Sequence, residues 1–310
     1  MPLCITPPRF GGSLLTRTTS PDMPPLASVR ASNANFSPAS PPVAIFLGGT
    51  SGIGRGTAQA FARHTNGNAH IILYEFVECD ASLMRNVAAT TSSLRSRLTK
   101  VNYVVLTCGA LPNAWQVLRG ARAPTAEGIP DALLAVAYYA RAKFALDLLP
   151  LLRAAREAGE DASLLNVLAA GRGGPVDLDD LGFQKPWSVR TLRPTVITYT
   201  DVMVESLAAL APGVTFTHIF PGLVSTPLLP GWARPLADVL CTSIDDCGEY
   251  MLYAVLDGGG GVRRKGPRGD DIGMVGYYGG VEVRERVWAH TMEVISRALV
   301  TTGDSGWFDG

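Results

Sequence analysis

A single α/β domain built on a doubly wound parallel sheet is the fold this sequence predicts, and three observations predict it. Short apolar runs alternate with amphipathic helical stretches along the chain. The first such run ends in a turn of spaced glycines. A chain of 310 residues with 47% hydrophobic content is long enough to bury one large core.

Val43-Ala44-Ile45-Phe46-Leu47, set between Pro41-Pro42 and Gly48, reads as a strand buried on both faces, and residues 55–64 read as the helix after it. Residues 70–73 form a second strand. Leu83, Val87, Leu94 and Leu98 make a helical stripe, and residues 103–106 are another buried strand. A helix over 131–152 precedes a strand at 164–168, and a helix over 194–211 precedes a strand at 214–220. Residues 244–256 and 281–299 read as helices, the second carrying Val287, Trp288, Thr291, Met292, Ile295 and Leu299 on one face. Between them, residues 258–271 are Gly-rich and basic and read as a flexible, solvated loop. Residues 1–42 are rich in Pro, Ser and Thr and read as a disordered extension outside the domain, which spans 43–310 with a C-terminal extension from about 240. An organelle transit peptide is the alternative reading of that segment, weakened by the prolines that interrupt any basic helix.

Composition excludes several functions. Lys and Arg number 27 and Asp and Glu 27, so no electrostatic case exists for nucleic acid or an anionic membrane. The most apolar stretch, 132–152, carries Arg141, Lys143 and Asp147, which argues against a membrane span. The five cysteines have no metal-ligand spacing and read as free thiols of a cytoplasmic protein.

At a strand-to-helix turn a side chain would keep phosphate oxygens away from the backbone amides, so Gly48, Gly52 and Gly54 have a steric reason to lack one. The helix dipole then favours an anion there, which points to a dinucleotide pyrophosphate on a Rossmann-like fold. The spacing Gly-x-x-x-Gly-x-Gly resembles that of the short-chain dehydrogenase/reductase family, with Leu47 where the family usually has Thr. The likeness runs from residue 43 to about 230 and is strongest to fungal members. It implies a cofactor, NAD or NADP, held by Gly48, Thr50, Ser51, Gly52, Ile53, Gly54 and Arg55 of the turn. It assigns Asp80 to the adenine, and Cys108, Gly109 and Ala110 to the cofactor after the next strand. Pro221, Gly222, Val224 and Thr226 match the segment beside the nicotinamide amide. Arg55 leans the choice toward NADP, while Glu75, 21 positions after Gly54, could meet a ribose hydroxyl or stand in water.

Residues 70–80 are one nearly continuous run, so the family's crossover helix between its second and third strands is missing. The sheet should be one strand narrower, and its unpaired edge would favour a homo-oligomer. The catalytic parts are also incomplete. The family's serine position falls on Leu168 or Ala169. Tyr139 and Lys143 have the tyrosine-x-x-x-lysine spacing but precede the strand at 164, where a packed Tyr and a solvated Lys are expected. Tyr199 is the remaining candidate for the proton donor, a buried structural tyrosine being the other reading of it; Met203 stands where the family has lysine, so the oxidised nicotinamide or a cation such as Arg190 or Arg193 would have to lower its pKa. A strict count back from Pro221 lands near Leu192 instead. The apolar run 227–232 stands where family members carry a substrate lid, so the expected reaction is oxidoreduction at a hydroxyl or carbonyl of an apolar small metabolite, in fungal secondary metabolism. A cofactor-binding protein without catalysis, acting as sensor or scaffold, is the competing reading.

Overall fold

The computed structural model describes residues 23–74, 80–109, 124–185, 187–226 and 240–300. Six parallel strands form the sheet: β1 (Val43–Leu47), β2 (His70–Tyr74), β3 (Tyr103–Leu106), β4 (Ser163–Val167), β5 (Thr215–Ile219) and β6 (Gly261–Lys265), in the order β2-β1-β3-β4-β5-β6. Each strand except the last reads in sequence as an apolar or β-branched run. Burial on both faces explains why for the inner strands: Ile45 and Leu47 of β1 enter one core, while Ala44 and Phe46 enter the other.

The first core is closed by α3 (Met84–Arg97), α4 (Ala140–Glu157), α5 (Val189–Leu210) and α7 (Val281–Val300). The second is closed by α1 (Leu26–Ala34), α2 (Gly52–His64) and α6 (Ile244–Leu256). A turn of helix at Ala132–Leu134 and a π-helical segment at Ala135–Tyr139 lead into α4. Helices α2 and α6 touch through their backbones. A Cβ on Gly56 would collide with the Ile244 carbonyl, and one on Gly248 with the backbone of Gly56, so both positions exclude a side chain.

β2 is an edge of the sheet, and among the described residues no strand lies outside it. The chain passes from β2 to α3 and β3, in keeping with the narrower sheet expected, although the described strand stops at Tyr74 and Glu75 lies outside the described residues.

Two expectations need correction. Residues 25–34 are not outside the fold: Val29 is buried in the second core, and Asn33 Nδ2 donates to the Glu249 carbonyl (3.0 Å) and carboxylate (2.8 Å) of α6. Burial pushes the Glu249 carboxyl up, but Asn33, Arg63 and His64 outweigh it and hold the group below its ordinary value. The basic segment 258–271 is not a solvated loop either, because it contains β6, paired in parallel with β5. Its charges are neutralised from afar: Lys265 meets Asp257 at 2.6 Å, and Arg264 meets Asp201 of α5 at 2.9 Å.

Candidate cofactor and substrate crevice

The turn between β1 and α2 is made by backbone that side chains would spoil. Gly48 (φ +83°) and Gly52 (φ +52°) are left-handed, which costs an L side chain about 1–2 kcal/mol. A Cβ on Gly54 would strike the Gly48 carbonyl and lie 2.5 Å from Thr107 Oγ1. That Thr107 hydroxyl sits 2.9 Å from the Leu47 carbonyl and 3.2 Å from that of Gly48. The anchor lost by having Leu47 is thus supplied from the end of β3. Ser51 occupies the N-cap of α2 without a side-chain capping bond, and no acidic residue stands in the first turn. Those first amides are left to meet an anion. Thr50 and Arg55 are exposed beside them, and Ile53 is half-buried, its carbonyl accepting from Thr57 Oγ1 at 2.8 Å.

Facing this turn is the segment after β5. Val224 bridges to Thr242, the Ser225 amide donates to the Thr242 carbonyl at 3.1 Å, and Thr226 Cγ2 lies 3.6 Å from where a Cβ on Gly52 would be. Pro221 is buried and Gly222 is left-handed (φ +78°). The structure therefore brings the two glycine-containing segments together beyond the carboxyl ends of β1 and β5. Cys108 is buried between them after β3, and Gly109 is exposed; Ala110 lies outside the described residues, as does the apolar run 227–232. Asp80 is exposed, and its Oδ1 accepts from the Ser82 amide (3.0 Å) and hydroxyl (2.6 Å), forming the turn before α3.

Behind Cys108 lies a buried cation. Arg141 of α4 donates to the carbonyls of Cys108, Leu106 and Val167 and to Asn166 Oδ1, while among the described residues its Nε has no partner. Among the described residues no carboxylate pairs with it, and burial pulls the guanidinium below its ordinary value.

Tyr199 is buried in the core rather than exposed to the crevice. Its ring is fully buried against Tyr138 and Phe183, and its hydroxyl donates to the Leu181 carbonyl at 2.9 Å. Burial, then neighbouring Tyr139 and Tyr138, push its pKa up, opposite to what a proton donor at neutral pH needs. Helical phase explains the placement: Thr191, Thr195 and Tyr199 line one cavity of about 420 Å³ with Phe183 and Trp187. Arg193 and Ile197 line another with Ala169 at the end of β4. Tyr199 thus faces away from the Ala169 side of α5. Tyr199→Phe is expected to lower stability by about 1 kcal/mol and to leave turnover within about threefold. A loss of about a hundredfold in turnover at unchanged cofactor affinity would return the phenol to catalysis.

Tyr139 and Lys143 serve the core. Tyr139 Oη lies 3.0 Å from His290 Nε2, and Lys143 is buried rather than solvated, with Nζ 2.7 Å from both oxygens of Asp147. It faces α3, whose Thr91 hydroxyl donates to the same carboxylate.

Arg190 and Arg193, the cations named from the sequence, converge with Arg172 on the cavity beside Ala169; Arg172 and a second group escaped the sequence reading. A buried network also joins three elements: Arg264 of β6 and His218 of β5 both hold Asp201 of α5. The Ala169 amide donates to His218 Nε2 at 3.3 Å, which leaves Nδ1 to donate to Asp201 Oδ1 at 2.6 Å. Burial alone would raise the Asp201 carboxyl, but His218 and Arg264 hold it below the usual range.

No protein-family model matches the chain. It is 30% identical over 277 residues to the short-chain dehydrogenase/reductase SAT2 of Stachybotrys chartarum, covering 74% of this chain and 77% of that protein. It is 32% identical over 223 residues to the oxidoreductase AN1596 of Emericella nidulans, where the match takes in 65% of this chain and just under two thirds, 64%, of the relative. The NADPH-bound carbonyl reductase from chicken fatty liver shares the fold, with a TM-score of 0.51 at 14% identity over 77% of this chain and 97% of that one. The glycine turn, the parallel sheet and the likeness to SAT2 agree: the chain belongs to the short-chain dehydrogenase/reductase family.

Proposed function

We propose that the protein is an NAD(P)-dependent oxidoreductase acting on a hydroxyl or carbonyl group of an apolar small metabolite. One observation carries the reading: Ser51 at the α2 N-cap makes no side-chain capping bond, and the left-handed glycines Gly48 and Gly52 open the amides there. This cradle fits a pyrophosphate. Gly48, Gly52 and Gly54 would admit the phosphates, Ile53 and Thr226 would flank them, and the Pro221–Gly222 turn would border the nicotinamide. The bound cofactor would supply or accept the hydride. Arg141 holds the Cys108 carbonyl and the end of β4 in place from behind. Arg55 favours NADP, and the apolar run 227–232 favours an apolar substrate. The fungal relatives support a role in fungal secondary metabolism.

A second reading has a specific observation behind it. With Tyr199 bonded to Leu181 and Lys143 bonded to Asp147, neither of the tyrosine and lysine candidates is free for proton transfer. In that reading the chain binds the nucleotide as a sensor or scaffold. Calorimetry with NADPH and NADH, followed by incubation with 4-deuterated NAD(P)H and a panel of apolar ketones and aldehydes, separates the two. Micromolar binding and deuterium at the carbinol carbon are expected. Binding without transfer would favour the second reading, and no binding would remove both.

A further inference from the structure

We infer that the cavity beside Ala169 is a binding site for a carboxylate group on the substrate, held by the guanidinium groups of Arg172, Arg190 and Arg193. The cavity has a volume of about 340 Å³ and among the described residues is lined by Ala169, Arg172, Arg190, Arg193, Pro194 and Ile197, three cations and no acid. Among the described residues none of the three arginines forms an ion pair.

The nearby acids are spent elsewhere. Asp177 pairs with Lys185 at 2.8 Å, Asp180 accepts from the amides of Gln184 and Lys185, and Asp201 is held by His218 and Arg264. Arg190 and Arg193 also sit in the first turns of α5, where the helix dipole disfavours a cation. Like charges at a positive helix end repel one another unless an anion lies between them. Arg172 is fixed in place, its guanidinium 4.1 Å above the Phe220 ring, immediately before Pro221. The cavity thus opens between the end of β4, the start of α5 and the segment after β5. Arginine forks match a planar carboxylate in two hydrogen bonds, and Pro194 and Ile197 give the rest of the molecule an apolar wall.

That the anion belongs to the substrate of the redox reaction rests on the function proposed above; that the cavity binds a carboxylate does not. The test uses naphthalene-2-carboxylate and its methyl ester, titrated into the full chain and into R190Q/R193Q at low and raised salt. The native protein is expected to bind the acid about tenfold or more tighter than the ester. The preference should weaken with salt and vanish in the double variant, whose melting temperature should be no lower than the native protein's. Equal binding of acid and ester, absence of acid binding, or a preference that survives R190Q/R193Q would each overturn the site. A parallel NADPH titration keeps the two claims apart, since its failure would remove the redox reading and leave the acid-against-ester comparison standing.

Discussion

Gly52→Val is expected to abolish NADPH and NADH binding in a protein that still folds. Gly52 has φ +52°, and a β-branched residue resists that region. Space is not the obstacle within the protein, because the nearest neighbour of an added Cβ, Thr226 Cγ2, is 3.6 Å away. The branches would instead fill the gap between the glycine turn and the Thr226 segment, where the pyrophosphate would lie. Gly54→Ala acts differently: its methyl would strike the Gly48 carbonyl, so the loss should appear in stability as well as binding. Calorimetry and thermal unfolding on both variants check this. Unchanged nucleotide affinity in folded Gly52→Val would reject the turn as the cofactor cradle.

Asp201→Ala is expected to cost about 3–5 kcal/mol of stability, because it strands a buried guanidinium and a buried imidazole at once. Arg264 is 6% exposed and His218 is fully buried, so neither can recover its lost partner from solvent. Arg264 also donates to the carbonyls of Gly273 and Val275. The damage should therefore spread to β6 and residues 270–276, read as faster amide exchange there than in β1. Urea unfolding showing a loss under about 1 kcal/mol would mean that the network contributes little net stability.

How far the sequence could be read follows from where each residue finds its partner. Strands β1, β3, β4 and β5 were legible because burial on both faces favours apolar and β-branched residues, β2 was legible from its apolar Ile71-Ile72-Leu73 although it lies half-exposed at the edge, and α6 was legible because Ser243 caps it and acids fill its first turn. β6 was not, since Gly261-Val262-Arg263-Arg264-Lys265 becomes a strand only when Asp201 and Asp257 neutralise it. α1 was hidden for a similar reason: it buries little beyond Val29 and Asn33, and a polar bond to Glu249 secures it. The glycine turn was legible from its spacing together with the apolar strand before it and the helix after it. Tyr199 was not, because a few residues' difference in position along α5 decides whether a side chain faces Ala169 or Leu181, and spacing from Pro221 does not resolve helical phase.

The contact of α2 with α6 at Gly56 and Gly248 sets a distance that no side chain can alter. α2 begins at one wall of the crevice, and α6 follows the Thr242 bridge that anchors the other. The width between the walls is therefore written in backbone. Side chains along the crevice can be exchanged without moving either helix, so the gap keeps its gauge. Such a scaffold can exchange its reactive groups and remain the same receptacle, provided two glycines stay where they are.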